Sequence, residues 1–127
     1  LIAACRPLLD PLVSGPHTLI VSSFDPRVLA TALSAGVPWR LAFLYETLEA
    51  FRFLDLLATE GPLDLHPPHA LVDADHLARY ASSPRPPRRV RTWTVDDAYE
   101  ARRLIDLGVV ALITNVPQRL KRSLQTP

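Results

Sequence analysis

Methionine is absent from the 127 residues of this chain, cysteine and lysine each occur once, and glycine is scarce at four. With Leu1 in first place, a bulky side chain that disfavours removal of an initiator methionine, the missing Met predicts that the chain starts inside a longer gene product or has lost a preceding segment. The single Cys5 excludes an intrachain disulfide and any cysteine-built metal site, so a reducing cytoplasm is the expected compartment. Fourteen basic residues against thirteen acidic ones leave a net charge of +1. That balance makes no electrostatic case for nucleic acid or an anionic membrane, and the expected partners are small molecules or protein. No apolar run approaches the roughly 20 residues of a membrane span, and no segment has the form of a signal peptide. There is no Gly-rich phosphate loop, no G-x-S-x-G elbow and no Cys/His dyad. What is present is a 48% hydrophobic chain, ample for a packed core, with thirteen prolines and thirteen arginines.

Strand and helix signals alternate about every 20 to 30 residues, which predicts βαβ units and a parallel α/β sheet rather than separate domains. Residues 1 to 14 carry a helical pattern interrupted by Pro7 and Pro11 and closed by Ser14-Gly15-Pro16. Leu19 to Ser23 is a short run rich in branched residues that suits a strand buried on both faces. Asp25 and Pro26 then read as the N-cap and first position of a helix that stops at Ala35-Gly36. Arg40 to Tyr45 is a second strand candidate, followed by helical period over residues 47 to 59 and a stop at Gly61-Pro62. Leu63–His66 and Ala70–Val72 read as extended fragments around Pro67-Pro68, Ala74 to Ala81 as a short helix, and "SSPRPPRRVR" as a connector. The end of the chain gives strand 90 to 94, helix 96 to 107 capped by Asp96 or Asp97 and ended by Gly108, strand 110 to 114, and a helix from Pro117 to about Leu124.

Parallel α/β sheets place ligands beyond the carboxyl ends of their strands, which is where Trp93, Thr94, Thr114 and Asn115 fall. Trp93 either lines such a mouth or packs against the following helix. Glu46 either presents a carboxylate at the mouth or serves as a helix N-terminal acid. His17, His66, His69 and His76 lack the spacing of a helical metal site, and Pro67-Pro68 prevents His66 and His69 from sharing a helix, so each is expected to be solvent-exposed or satisfied in the core. Arg27, Arg40, Arg88, Arg89 and Arg91 have the chemistry to meet a phosphate, although arginines on a surface are more often solvated.

Three segments carry a family resemblance in the right order: "LIVSSFDPRVL", "LDLHPPHALVD" and "WTVDDAYEARRLIDLGVVALITNVP". Together they resemble the glycerophosphodiester phosphodiesterase family, whose members close with a W-T-V-N segment, a helix and a G-V-D-G-I-I-T-D-x-P segment. The resemblance runs across nearly the whole chain but matches only the second half of that family's domain. It implies the α/β fold of the C-terminal half of a (β/α)₈ TIM-type barrel of the phospholipase C-like phosphodiesterase kind, with residues 1–127 forming part of one domain and no second domain. Such a barrel takes about 250 residues, so the N-terminal half is missing from this chain. With it are missing the family's His-Arg-Gly motif, acidic metal ligands, second histidine and Glu-x-Lys segment.

The resemblance further implies a metal-dependent hydrolase that splits a glycerophosphodiester into an alcohol and glycerol 3-phosphate. In the complete barrel a divalent cation, Mg or Ca, is expected, held by ligands outside this chain, so no catalytic or metal residue is assigned within it. The expected substrate-binding residues are Trp93, Phe24, Ser23 and, at the histidine-proline position, His66. Phe24 would be an apolar wall and Ser23 a donor to phosphate or to a neighbouring carboxylate. Because an open half-barrel leaves unpaired strand edges, the missing half or a partner chain is expected to close it. Asp96 stands where relatives usually carry Asn, and Asn115 where they usually carry Asp. That exchange motivates an alternative of a different class, a non-catalytic barrel acting as a binding or interaction module. A third reading, some other (β/α)₈ phosphate enzyme, follows only if the resemblance is accidental, since the fold supports many chemistries.

Overall fold

Proline and aspartate set the first βαβ unit. In the computed structural model, which describes residues 1–53, 63–81 and 89–125, Asp25 caps helix α2 (Pro26–Ser34) by accepting the Arg27 backbone N–H at 2.9 Å. Pro26 occupies the first turn, where a missing N–H costs nothing. The helix ends at Ala35, and Gly36 turns the chain away with φ +57, a left-handed value that favours glycine. Strand β1 (Ile20–Ser23) enters this helix and β2 (Arg40–Leu44) leaves it; the two pair in parallel from Ile20 opposite Arg40 to Ser23 opposite Phe43. Leu29 and Ala32 of α2 are buried with Leu41, Ala42 and Phe43 of β2, and the Phe43 and Tyr45 rings stack at 5.6 Å.

By its contacts the chain divides into two compact units, Leu1–Asp64 and Leu65–Pro127. Before β1, the first unit holds helix α1 (Ile2–Leu9), which tightens into a 3₁₀ turn over Asp10–Ser14. There Asp10 accepts from Arg6 Nε at 3.0 Å and from the buried Trp39 indole at 2.7 Å. After β2, Thr47 caps the short α3 (Leu48–Phe51) through its hydroxyl and Ala50 N at 3.2 Å. The unit closes on Leu63 and Asp64, the first residues of β3 (Leu63–His66), the third strand in the order β1-β2-β3. Asp64 is 2% exposed and takes a two-pronged bond from Arg40, Nη2 to Oδ1 at 2.7 Å and Nε to Oδ2 at 3.2 Å.

The second unit is built on three extended stretches lying parallel. Leu65 bridges to Val90 and Pro68 to Trp93, with Leu65 N donating to Arg89 O at 3.0 Å and Trp93 N to Pro67 O at 3.2 Å. Beside them β4 (Arg91–Thr92) pairs in parallel with β5 (Ala111–Leu112). Bonds from Val110 N to Val90 O and from Ile113 N to Thr92 O extend that ladder by a residue at each end. Helices α4 (Ala74–Ala81), α5 (Ala98–Asp106) and α6 (Pro117–Gln125) complete the unit, and α5 packs on α6. Ala101 and Leu104 on the inner face of α5, with Val90, Thr92, Val95, Val109 and Leu120, supply its core.

Several expected boundaries hold, among them the caps at Asp25 and Asp97, the stops at Gly36 and Gly108, and the helix over Ala74–Ala81. Three details differ. Strand β1 is only partly buried, with Ser22 exposed, because it stands at the edge of the order β1-β2-β3. Residues 69 to 71 form a 3₁₀ turn rather than an extended fragment, since Leu71 N and Val72 N donate back to Pro68 O and His69 O. Asp96 does not cap α5; Asp97 does, accepting Glu100 N at 2.9 Å. The later part of the helix expected over 47 to 59, its stop at Gly61-Pro62 and most of the connector before Arg89 lie outside the described residues.

Candidate functional site

Trp93 stands where β4 runs out. Its backbone continues the parallel ladder, with Trp93 N bonded to Pro67 O and His69 N bonded to Trp93 O at 2.8 Å. Its indole Nε1 donates to the His66 carbonyl at 2.8 Å, and the neighbouring Thr92 hydroxyl donates to Pro67 O at 2.9 Å. The ring is half-buried and its orientation is fixed at both ends, while Thr94 beyond it is exposed. His66 itself is 6% exposed, and its carbonyl holds the indole. Sequence reasoning named Trp93 and His66 separately; the fold joins them.

The turn that follows His66 is held by charge. His69 Nδ1 lies 2.9 Å from Glu100 Oε1, and Arg103 grips both Glu100 oxygens, Nη2 to Oε1 at 2.6 Å and Nε to Oε2 at 2.8 Å. The same guanidinium donates from Nη1 to Val72 O at 2.8 Å, which ties the 3₁₀ turn to α5. Arg103, and after it His69, hold the Glu100 carboxyl down at about 2, well below the usual carboxylate range, against an opposing push from partial burial. Nothing in the linear reading singled out this clamp. Its one sequence signal is the i,i+3 spacing of Glu100 and Arg103 on a helix face.

At the exit of β5, Asp96 organises the turn into α6. Its Oδ1 accepts the Thr114 hydroxyl at 2.8 Å and Asn115 N at 2.9 Å, and its Oδ2 accepts Asn115 Nδ2 at 3.2 Å. Those bonds, Thr114 first, lower the Asp96 carboxyl pKa. In the first unit, the exit of β1 carries Ser23 and Phe24. The Ser23 oxygen accepts Asp25 N at 3.0 Å, so the hydroxyl proton points elsewhere, and Phe24 is 53% exposed. Glu46 is exposed beside the Thr47 cap.

Of the remaining histidines and arginines that the sequence singled out, Arg27 and Arg40 form ion pairs. His76 is 3% exposed, its pKa lowered by burial, and His17 lies at the surface. Arg40 holds buried Asp64 and Arg27 pairs with Asp25, while Arg89 is exposed and Arg91 half-buried. Arg88 lies outside the described residues. Among the described residues no three His, Cys, Asp or Glu side chains converge as a metal site. Nor is any described helix long and apolar enough to cross a membrane.

No protein-family model matches the sequence, and no curated protein does either. Solved structures do match the fold. A phosphodiesterase from Oleispira antarctica, solved in complex with the product sn-glycerol-3-phosphate, superposes on 97% of this chain with a TM-score of 0.75 at 19% identity. A candidate glycerophosphoryl diester phosphodiesterase from Silicibacter pomeroyi DSS-3 superposes on 97% with the same TM-score at 22% identity. The fold is that of part of a (β/α)₈ barrel, as in these two proteins. The chain spans 48% and 43% of the length of these two proteins.

On that barrel fold, the parallel pairings β1 with β2 and β4 with β5 are neighbouring barrel strands; Ser23 is the last residue of β1, and Trp93 and Asn115 lie beyond the carboxyl ends of β4 and β5. Positions 96 and 115 are tied together by their side chains. The two side chains bond to each other, and an amide facing a carboxylate makes the same contact with the roles exchanged.

Proposed function

We propose that this chain is the C-terminal part of a metal-dependent phosphodiesterase that hydrolyses glycerophosphodiesters to an alcohol and glycerol 3-phosphate. Residues 1–127 would then belong to one barrel domain, whose other strands come from a preceding segment or a partner chain. The observation that carries the reading is Trp93, a half-buried indole pinned by Nε1 to His66 O at a strand exit of a fold shared with an enzyme that binds glycerol 3-phosphate. Its role is to present an aromatic face to the glycerol or alcohol portion of the substrate, a contact that orients without reacting. Phe24 would add an apolar wall and Ser23 a hydroxyl donor, with His66 supporting Trp93. A divalent cation, Mg or Ca, would polarise the phosphoryl group from ligands outside this chain, and proton exchange would likewise fall to residues outside it. A cytoplasmic setting suits a chain with one cysteine.

The test is the intact mass of the source protein, together with glycerophosphocholine hydrolysis on the same sample with Mg²⁺ or Ca²⁺ and with chelator. A mass near twice that of this chain with chelator-sensitive activity is the expected result. A full-length protein inert on glycerophosphocholine and other phosphodiesters would favour the binding-module reading instead.

A further inference from the structure

Phe24, Pro26, Ala30, Phe43, Ala50 and Phe53 line a cleft of about 700 Å³ inside the first unit. It opens where β1 and β2 run into α2 and α3, at the carboxyl ends of two parallel strands, the side of such a sheet that binds ligands. We propose that this cleft takes an alkyl or aryl group carried by the phosphodiester substrate. The proposal rests on the phosphodiesterase reading above and adds the chemical class of the group bound.

Four observations support it. The wall is apolar, and its two outer rings, Phe24 at 53% and Phe53 at 47%, keep about half their surface in water, so an apolar occupant gains by covering them. Phe43, 1% exposed, forms a fixed back wall. Among the described lining residues the only charges, Asp25 and Arg27, cancel each other through bonds of 3.0 Å and 2.8 Å, and Asp25 also accepts the first amide of α2. None of these described residues leaves an uncompensated carboxylate to read a choline or ethanolamine cation. The volume falls within the roughly 300–1,000 Å³ of small-molecule pockets, more room than a glycerol moiety fills.

The apolar group has two possible sources, the leaving alcohol or an acyl chain on the glycerol, and the experiment separates them. With the full-length protein, hydrolysis is compared across glycerophosphocholine, glycerophosphoalkanols of increasing chain length and short-acyl lysophosphatidylcholines below micelle formation. Binding of alkylphosphocholines of increasing length is titrated in parallel. Affinity is expected to rise about fourfold per added methylene until the cleft is full. It should fall to the short-chain level in Ala30→Trp, which fills the cleft from the exposed side of α2, and weaken in Phe53→Ser, a second exposed position. Chain-length dependence in the alkanol series assigns the leaving alcohol; dependence in the acyl series assigns the glycerol side. Hydrolysis of glycerophosphocholine with no chain-length dependence in either series overturns the cleft and leaves the phosphodiesterase reading standing. Length-dependent binding, lost in both variants, with no hydrolysis of any diester keeps the cleft and overturns that reading. Equal binding of all lengths, or binding indifferent to both variants, overturns the proposal.

Discussion

Glu100→Gln is the sharpest probe of the turn that supports Trp93. The substitution keeps the side-chain shape and removes the charge that His69 and Arg103 surround. A carboxyl that ionises at about 2 in the folded chain and near 4.5 when unfolded contributes at most about 3 kcal/mol at neutral pH. The partners are 39% and 36% exposed and Glu100 is 21% exposed, so solvent screening reduces that to about 1 kcal/mol. For a chain of this size that is a fall in Tm of roughly 3–6 °C. The sign with pH is fixed: because the folded value is depressed, the stabilisation is complete above the unfolded value of 4.5 and drains away as pH falls toward about 2. Urea titrations of wild type and E100Q, run from neutral pH downward, should therefore give curves that converge in acid. The double variant E100Q/R103M should cost less than the sum of the singles, since both break the same bonds. Equal stability at neutral pH, or a gap that does not narrow in acid, would refute the clamp.

The Arg40–Asp64 pair predicts an asymmetry. Asp64 is 3% exposed and Arg40 29%, so Arg40→Met, which takes the guanidinium away from the buried carboxylate, should cost about 2–3 kcal/mol in urea unfolding, more than Asp64→Asn, which lets the arginine turn to water; the reverse order would show that the arginine is the more dependent partner. Trp93→Phe keeps an aromatic face but removes the donor to His66 O, and should cost about 1–2 kcal/mol in stability. Under the proposed function W93F should also raise KM more than it lowers kcat in the full-length enzyme, and an unchanged KM would remove the indole from the substrate wall. Asp97→Ala should lose about 1 kcal/mol of thermal stability and Asp97→Asn almost none, while Ala and Asn behaving alike would show that the cap carries no weight.

Local chemistry is what the linear sequence determined. Asp25-Pro26 and Asp97 start helices because a side-chain oxygen three or fewer residues ahead of an N–H needs no tertiary help to cap it, and Gly36 and Gly108 stop them because their φ values of +57 and +90 belong to glycine. The strand–helix rhythm predicted parallel pairing, and the barrel fold followed from the Ser-Phe, His-Pro and Trp-Thr-Val segments. Tertiary structure alone decided the rest, because those contacts join residues far apart in the chain. Trp93 finds its partner in the carbonyl of His66, Arg103 reaches back to Val72, Asp96 meets Asn115, and Arg40 meets Asp64. No periodicity records such pairs, since each depends on which strand lies beside which and on the register between them. The apolar cleft behind Phe24 is of the same kind: its walls come from two strand exits and two helices that only the folded chain brings together.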